Sequence, residues 1–222
     1  MQLAHAIFEP AGDGPHPTII ALHGWGANAM DLLGLAPYLC DGRFLVICPQ
    51  GPLEVPLGPR AVGCGWFPLT MGGPANVLEI LSARDNLRAF LDSALQRYPI
   101  DRKKTVVLGF SQGGVMAYGL ALGEPERFAA LASLSSWLSK ELVAAFSTKE
   151  IDGLPPMLVQ HGSADELIQV ERARESVETL RSLRAPLTYR EYDMGHEISP
   201  QSLADLSAWL EQKVLSPIVL AS

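Results

Sequence analysis

The chain has 222 residues, 48% of them apolar, enough to enclose a continuous core without disulfides or metal. Seventeen basic against twenty-four acidic residues leave a net charge of −7 with no basic stripe, which excludes the electrostatic footprint of a nucleic-acid binder. No apolar run approaches the ~18 residues of a membrane span.

Taken in chain order, short β-branched runs alternate with longer segments of helical period. Residues near Leu3 to Phe8 suit an antiparallel edge strand, followed by a strand at Thr18 to Leu22. Apolar residues three or four apart predict a helix at Leu32 to Leu39, then a strand at Phe44 to Cys48. Between Gly51 and Pro74, eleven of twenty-four residues are Gly or Pro, and this is expected to be a long irregular loop, a feature often functional in a compact domain. A helix at Val77 to Tyr98, a strand at Thr105 to Leu108 and a helix at Gln112 to Leu122 follow. The rest reads as strands at Phe128 to Leu134, Met157 to Gln160 and Leu187 to Tyr192, with helices at Val170 to Leu183 and Pro200 to Val214. Such alternation predicts the α/β class, a mostly parallel central sheet with helices on both faces, in one domain spanning 1–222.

Cys40, Cys48 and Cys64 form an odd set without metal-ligand spacing and are expected to be free core thiols. The first basic residue is Arg43, so the charged start of a secretory signal is missing, and a cytoplasmic protein is expected.

Gly109-Phe110-Ser111-Gln112-Gly113 has the form G-x-S-x-G, a turn that holds a serine exposed between a strand and a helix. The preceding Lys104 to Leu108 reads as a buried strand and the following Gly114 to Leu122 as a close-packed helix, which is the context the motif requires. In another context the serine would serve only as a helix cap.

A serine hydroxyl is a weak nucleophile near neutral pH and needs an imidazole to take its proton. On this type of fold the order along the chain is serine, acid, histidine, and of the five histidines that order selects His196. The acid should follow a strand at the same sheet end, which favours Asp165 in His161-Gly162-Ser163-Ala164-Asp165. Asp193, three residues before His196, is the competitor, with Glu166 a weaker one.

Acyl transfer also needs donors aimed at the carbonyl oxygen as charge develops there. The backbone N–H of Gln112 is the first candidate. Leu22-His23-Gly24-Trp25-Gly26 follows an early strand and offers the second, at Trp25 or, failing that, Gly24.

Together, His23-Gly24-Trp25-Gly26, Gly109 to Gly114, Leu134-Ser135-Ser136-Trp137-Leu138, His161 to Asp165 and Gly195-His196-Glu197-Ile198 resemble the phospholipase/carboxylesterase family that includes the acyl-protein thioesterases. The resemblance runs from about Thr18 to Leu210 and implies a compact α/β-hydrolase without a separate cap domain, needing no cofactor and no metal. It implies the triad Ser111, Asp165 and His196, an oxyanion hole from the backbone of Trp25 and Gln112, and a small ester or acyl compound as substrate. Some members form homodimers, so the resemblance admits one here.

Two departures broaden the substrate class. Thioesterase members often carry an acidic residue soon after the glycine loop, where this chain has Ala27 and Asn28, and Trp66-Phe67 is followed by Pro68 where the family often has Asp. Trp66, Phe67, Leu69, Met71 and Trp137 suit an acyl chain, against the plainer reading that such side chains simply pack. A carboxylesterase is the leading expectation, with acyl thioesterase or lysophospholipase as the alternative in the same class. A binding protein without turnover on the same fold is the alternative from a different class.

Overall fold

The computed structural model describes residues 3–69, 76–146 and 153–216. Its strands are β1 (His5–Phe8), β2 (His16–Leu22), β3 (Leu45–Pro49), β4 (Leu53–Pro56), β5 (Val62–Gly65), β6 (Ile100–Phe110), β7 (Ala130–Leu134), β8 (Met157–Gly162) and β9 (Leu187–Tyr192). Helices α1 (Val77–Arg97), α2 (Gln112–Gly123), α3 (Lys140–Ala144), α4 (Val170–Ser182) and α5 (Pro200–Leu210) lie between and after them.

Seven strands form one sheet in the order β1-β3-β2-β6-β7-β8-β9, while β4 and β5 pair separately as a hairpin. Only β1 runs antiparallel to its neighbour in the large sheet; the other pairs are parallel. The central strands are buried on both faces because side chains alternate between two cores. Ile20, Leu22, Leu45, Ile47, Val107, Leu131 and Val159 point to the side packed by α1, α2 and α4. Ile19, Ala21, Val46, Val106, Leu108, Ala132 and Leu158 point to the other, packed by the chain before β3 and by α5.

Several expectations change in detail. The helix expected at Leu32 to Leu39 is instead a 3-10 segment, Leu33–Tyr38, with Pro37 inside it. Proline has no N–H to donate and its ring crowds the previous turn, so a regular α-helix does not propagate there. Strand β6 begins at Ile100, well before Thr105, because the charged stretch Asp101 to Lys104 forms its exposed entry. The last helix leaves the α form at Leu210 and ends in a π turn over Glu211–Leu215. The Gly- and Pro-rich segment carries the β4–β5 hairpin, so it is not irregular throughout. No helix among the described residues is long and apolar enough to cross a membrane.

Candidate active site

The order of the strands decides where residues distant in sequence meet. On one side of β2 lies β3, the next strand in the chain, with β1 beyond it, whereas β6 lies on the other side and leads to β7, β8 and β9. Such a reversal opens a crevice beyond the carboxyl ends of the two strands. Leu22 pairs with Gly109 in register, so the residues that follow each of them leave the sheet side by side. An ideal Cβ on Gly24 would lie 3.2 Å from the Ser111 Cβ.

Ser111 caps α2 with φ 53° and ψ −120°, a backbone conformation that costs a non-glycine residue roughly 1–3 kcal/mol and persists only when neighbours over-determine it. Here they do: Ser111 N–H donates to the Leu134 carbonyl at 2.9 Å, and Gly114 N–H to the Ser111 carbonyl at 2.9 Å. The flanking glycines are sterically required. A Cβ on Gly113 would sit 1.9 Å from the Leu22 carbonyl oxygen, and one on Gly109 2.1 Å from the Gly113 oxygen.

His196 follows β9 and Asp165 follows β8. The His196 Nδ1–H donates to Asp165 Oδ2 at 2.7 Å, while Asp165 Oδ1 accepts the backbone N–H groups of Leu167 at 3.0 Å and Ile168 at 2.8 Å. The Asp165 side chain is wholly buried, so every one of these bonds acts in a medium of low dielectric. With Nδ1 committed to the carboxylate, Nε2 is the nitrogen left to take a proton. The imidazole also packs against Phe110, ring centroids 4.9 Å apart, which brings it beside Ser111. Ser111 Oγ itself has no hydrogen-bond partner among the described residues; such bonds commonly tighten only when substrate arrives. Asp193, by contrast, is exposed and makes no bond to His196.

Trp25 and Gln112 each leave a backbone N–H without an acceptor among the described residues, Gln112 because it opens α2. Gly24, in the same loop as Trp25, packs against Ser111 and Phe110 of the serine turn. Trp66 and Phe67 are buried at 2% and 1% exposure in the core on the α1–α2 side, and Trp137 is covered by the Arg172 guanidinium, 4.7 Å above its ring. Leu69 is exposed and Met71 lies outside the described residues. Among the described residues no cluster of three or more His, Cys, Asp or Glu could hold a metal ion. A cavity of about 390 Å³ lined by Leu91, Leu95, Ile100 and Phe128 opens at the opposite end of the strands from Ser111.

Three buried side chains make contacts that no pattern in the residue types foretells. The His161 Nε2 lies 2.7 Å from the Ile168 carbonyl and 3.3 Å from Asp165 Oδ2, so two imidazoles share one carboxylate oxygen. The Gln112 carboxamide is fully buried: Oε1 accepts the Trp66 N–H at 2.8 Å and Nε2 donates to the Phe67 carbonyl at 2.7 Å. His23 is buried as well, its Nδ1–H donating to the Gly24 carbonyl at 2.7 Å while Nε2 accepts from Gly51 N–H at 3.0 Å. That tautomer follows from the partners, because a backbone N–H can be met only by an unprotonated ring nitrogen. Burial lowers the pKa of His23 from its ordinary 6.5, outweighing the Gly24 bond that raises it.

This sheet, with a strained serine turn at its switch point, places the chain in the α/β-hydrolase class. A family model described as Phospholipase/Carboxylesterase matches residues 3–214, and the chain belongs to that family. It is similar to acyl-protein thioesterase 1 of Gibberella zeae, 26% identical over 96% of this chain and 97% of that protein. It is also similar to a probable carboxylesterase, SOBER1-like, of Arabidopsis thaliana, 28% identical over 76% of this chain and 65% of that protein. Among solved structures, the Bacillus cereus carboxylesterase shares the fold with a TM-score of 0.77 at 19% identity, covering 94% of this chain and 93% of that one. The chain is thus a hydrolase of the esterase or thioesterase kind, acting on small ester or acyl compounds.

Proposed function

We propose that the protein hydrolyses carboxylic esters through an acyl-enzyme on Ser111. The observation that carries this reading is the buried Asp165 carboxylate bonded to His196 at 2.7 Å, with the imidazole packed beside the serine turn. Ser111 Oγ attacks the ester carbonyl as His196 Nε2 takes its proton. Negative charge then rests on the carbonyl oxygen, which accepts hydrogen bonds from the N–H groups of Trp25 and Gln112; one such donor is commonly worth about 2.7–4 kcal/mol of barrier. Collapse breaks the carbon–oxygen bond of the leaving group, and His196 returns the proton to the departing alcohol. Water, deprotonated by His196, cleaves the acyl-enzyme and restores the serine. Asp165 stays ionised throughout, orienting the ring and stabilising its charged form.

Labelling with a fluorophosphonate probe tests this, comparing wild type with Ser111→Ala alongside turnover of chromogenic esters of increasing acyl length. Labelling lost in the variant, with turnover lost in parallel, is the expected outcome. A folded wild-type protein with neither labelling nor turnover would sink the reading.

Thioester cleavage is the second reading, favoured by the likeness to a protein named as an acyl-protein thioesterase. Matched oxygen and sulfur esters separate the two: a preference for sulfur beyond the leaving group's intrinsic reactivity reverses the order. The free thiols of Cys40, Cys48 and Cys64 support a cytoplasmic location, since unpaired cysteines suit a reducing compartment.

A further inference from the structure

The two N–H groups assigned to the oxyanion come from separate elements, Trp25 from the loop after β2 and Gln112 from the start of α2. An oxyanion is held only if both donors lie within hydrogen-bond reach of one point, so their spacing has to be fixed by something that touches both. Among the described residues, Trp66 hydrogen-bonds to each of these elements. Its indole N–H donates to the His23 carbonyl at 2.8 Å, at the root of the Trp25 loop. Its backbone N–H donates to the Gln112 carboxamide at 2.8 Å, whose other end is tied to Phe67.

The surroundings keep this bridge stiff. Trp66 is 2% exposed and its indole lies against the His23 ring, centroids 5.0 Å apart. It follows directly on β5, and β5 is joined to the same loop: Gly26 N–H donates to the Cys64 carbonyl at 2.8 Å, and Cys64 N–H to the Ala27 carbonyl at 2.7 Å. The approach is so close that a Cβ on Gly63 would fall 1.9 Å from the Gly26 oxygen. On the other side, His23 Nδ1–H holds the Gly24 carbonyl, which belongs to the same planar peptide as the Trp25 N–H and so sets the direction in which that donor points.

We propose that Trp66 is a positioning residue that sets the separation of the two oxyanion donors, and that it is not a wall of the acyl pocket. This rests on the assignment of Trp25 and Gln112 as those donors. Trp66 touches no reacting atom; it acts through His23 and Gln112. Donor spacing matters in the transition state for every substrate alike, whereas a pocket wall would discriminate among acyl lengths.

The test replaces Trp66 by Phe, which keeps an aromatic ring and deletes the indole N–H. kcat/KM is measured across p-nitrophenyl esters from acetate to decanoate, together with inhibition by a trifluoromethyl ketone, whose serine adduct places an oxyanion in the same site. The expected result is a fall of about 10-fold in kcat/KM, the size of one lost hydrogen bond, uniform across acyl lengths, with the ketone weakened by the same factor. Unchanged kinetics, or a loss confined to the longer chains, overturns the proposal. If W66F does not fold, the benzothiophene isostere of Trp66 removes only the N–H and is judged by the same two measurements. Wild-type protein that neither turns over esters nor binds the ketone would instead overturn the oxyanion assignment, and the proposal with it. Failure of W66F to differ from an active wild type overturns the bridge alone.

Discussion

His196 Nδ1 and Asp165 Oδ2 lie 2.7 Å apart, on a carboxylate whose other oxygen is held by the N–H groups of Leu167 and Ile168. The acid is thereby fixed from two sides, and the imidazole is bonded to a group that cannot turn away. Asp165→Asn keeps the shape and presents an amide in place of the charge, so the ring loses its preferred tautomer and the stabilisation of its cation. Turnover is expected to fall by roughly 10⁴-fold. Asp193→Asn, at an exposed position without a bond to His196, is expected to leave turnover unchanged. The reverse pattern in steady-state kinetics would mean that the wrong carboxylate has been assigned.

The serine turn makes a steric prediction. In Gly113→Ala the added methyl would meet main-chain oxygen of Leu22 at 1.9 Å, and relief would require opening the β2–β6 ladder. No folded protein is expected. Gly119→Ala, on the same helix, meets only the Arg84 side chain at 3.9 Å and should stabilise the chain by up to about 1 kcal/mol, since alanine is the better helix former. Urea unfolding of the second and soluble expression of the first check the contrast.

His23 supplies a pH dependence. Burial holds its folded pKa below the ordinary 6.5, so as pH falls through 6.5 the unfolded chain takes up a proton that the folded chain refuses. This contribution to stability is complete above 6.5 and declines as pH falls, until the folded imidazole is itself protonated and loses its bond from Gly51 N–H. His23→Asn, which removes the titrating ring, should flatten the slope of stability against pH below 6.5 relative to wild type. Equal slopes in denaturant titrations of the two proteins would count against a neutral buried His23.

Ser199 caps α5, its hydroxyl accepting the Ser202 N–H at 3.2 Å. Ser199→Ala leaves that donor without its partner and should cost about 1 kcal/mol, while Ser199→Asp should recover most of it. A midpoint shift in urea reads both. Because α5 packs its Leu206, Trp209 and Leu210 under the sheet, the loss should appear in global unfolding and not as local fraying alone.

The sequence by itself determined the parts whose cause is local. Continuous apolar runs such as Ile19 to Leu22 and Val106 to Leu108 mark strands buried on both faces, because successive side chains point to opposite sides and each must find a core. Glycines around Ser111 mark the tight turn, because no other residue fits there. The chain order of Ser111, Asp165 and His196 follows from that turn and from the strands that precede the other two. Tertiary structure decided the rest. The β4–β5 hairpin is fastened to the Trp25 loop by backbone bonds of Cys64, which depend on no side-chain pattern and leave no trace in the residue types. The residue type of Trp66 suits a pocket wall or, more often, plain packing; its bonds to His23 and Gln112 arise only where the register of β2 with β6 sets those two side by side and the hairpin carries Trp66 to them. A hydrogen bond between residues far apart in the chain is a property of their separation in space, and that separation is set when the strands assemble.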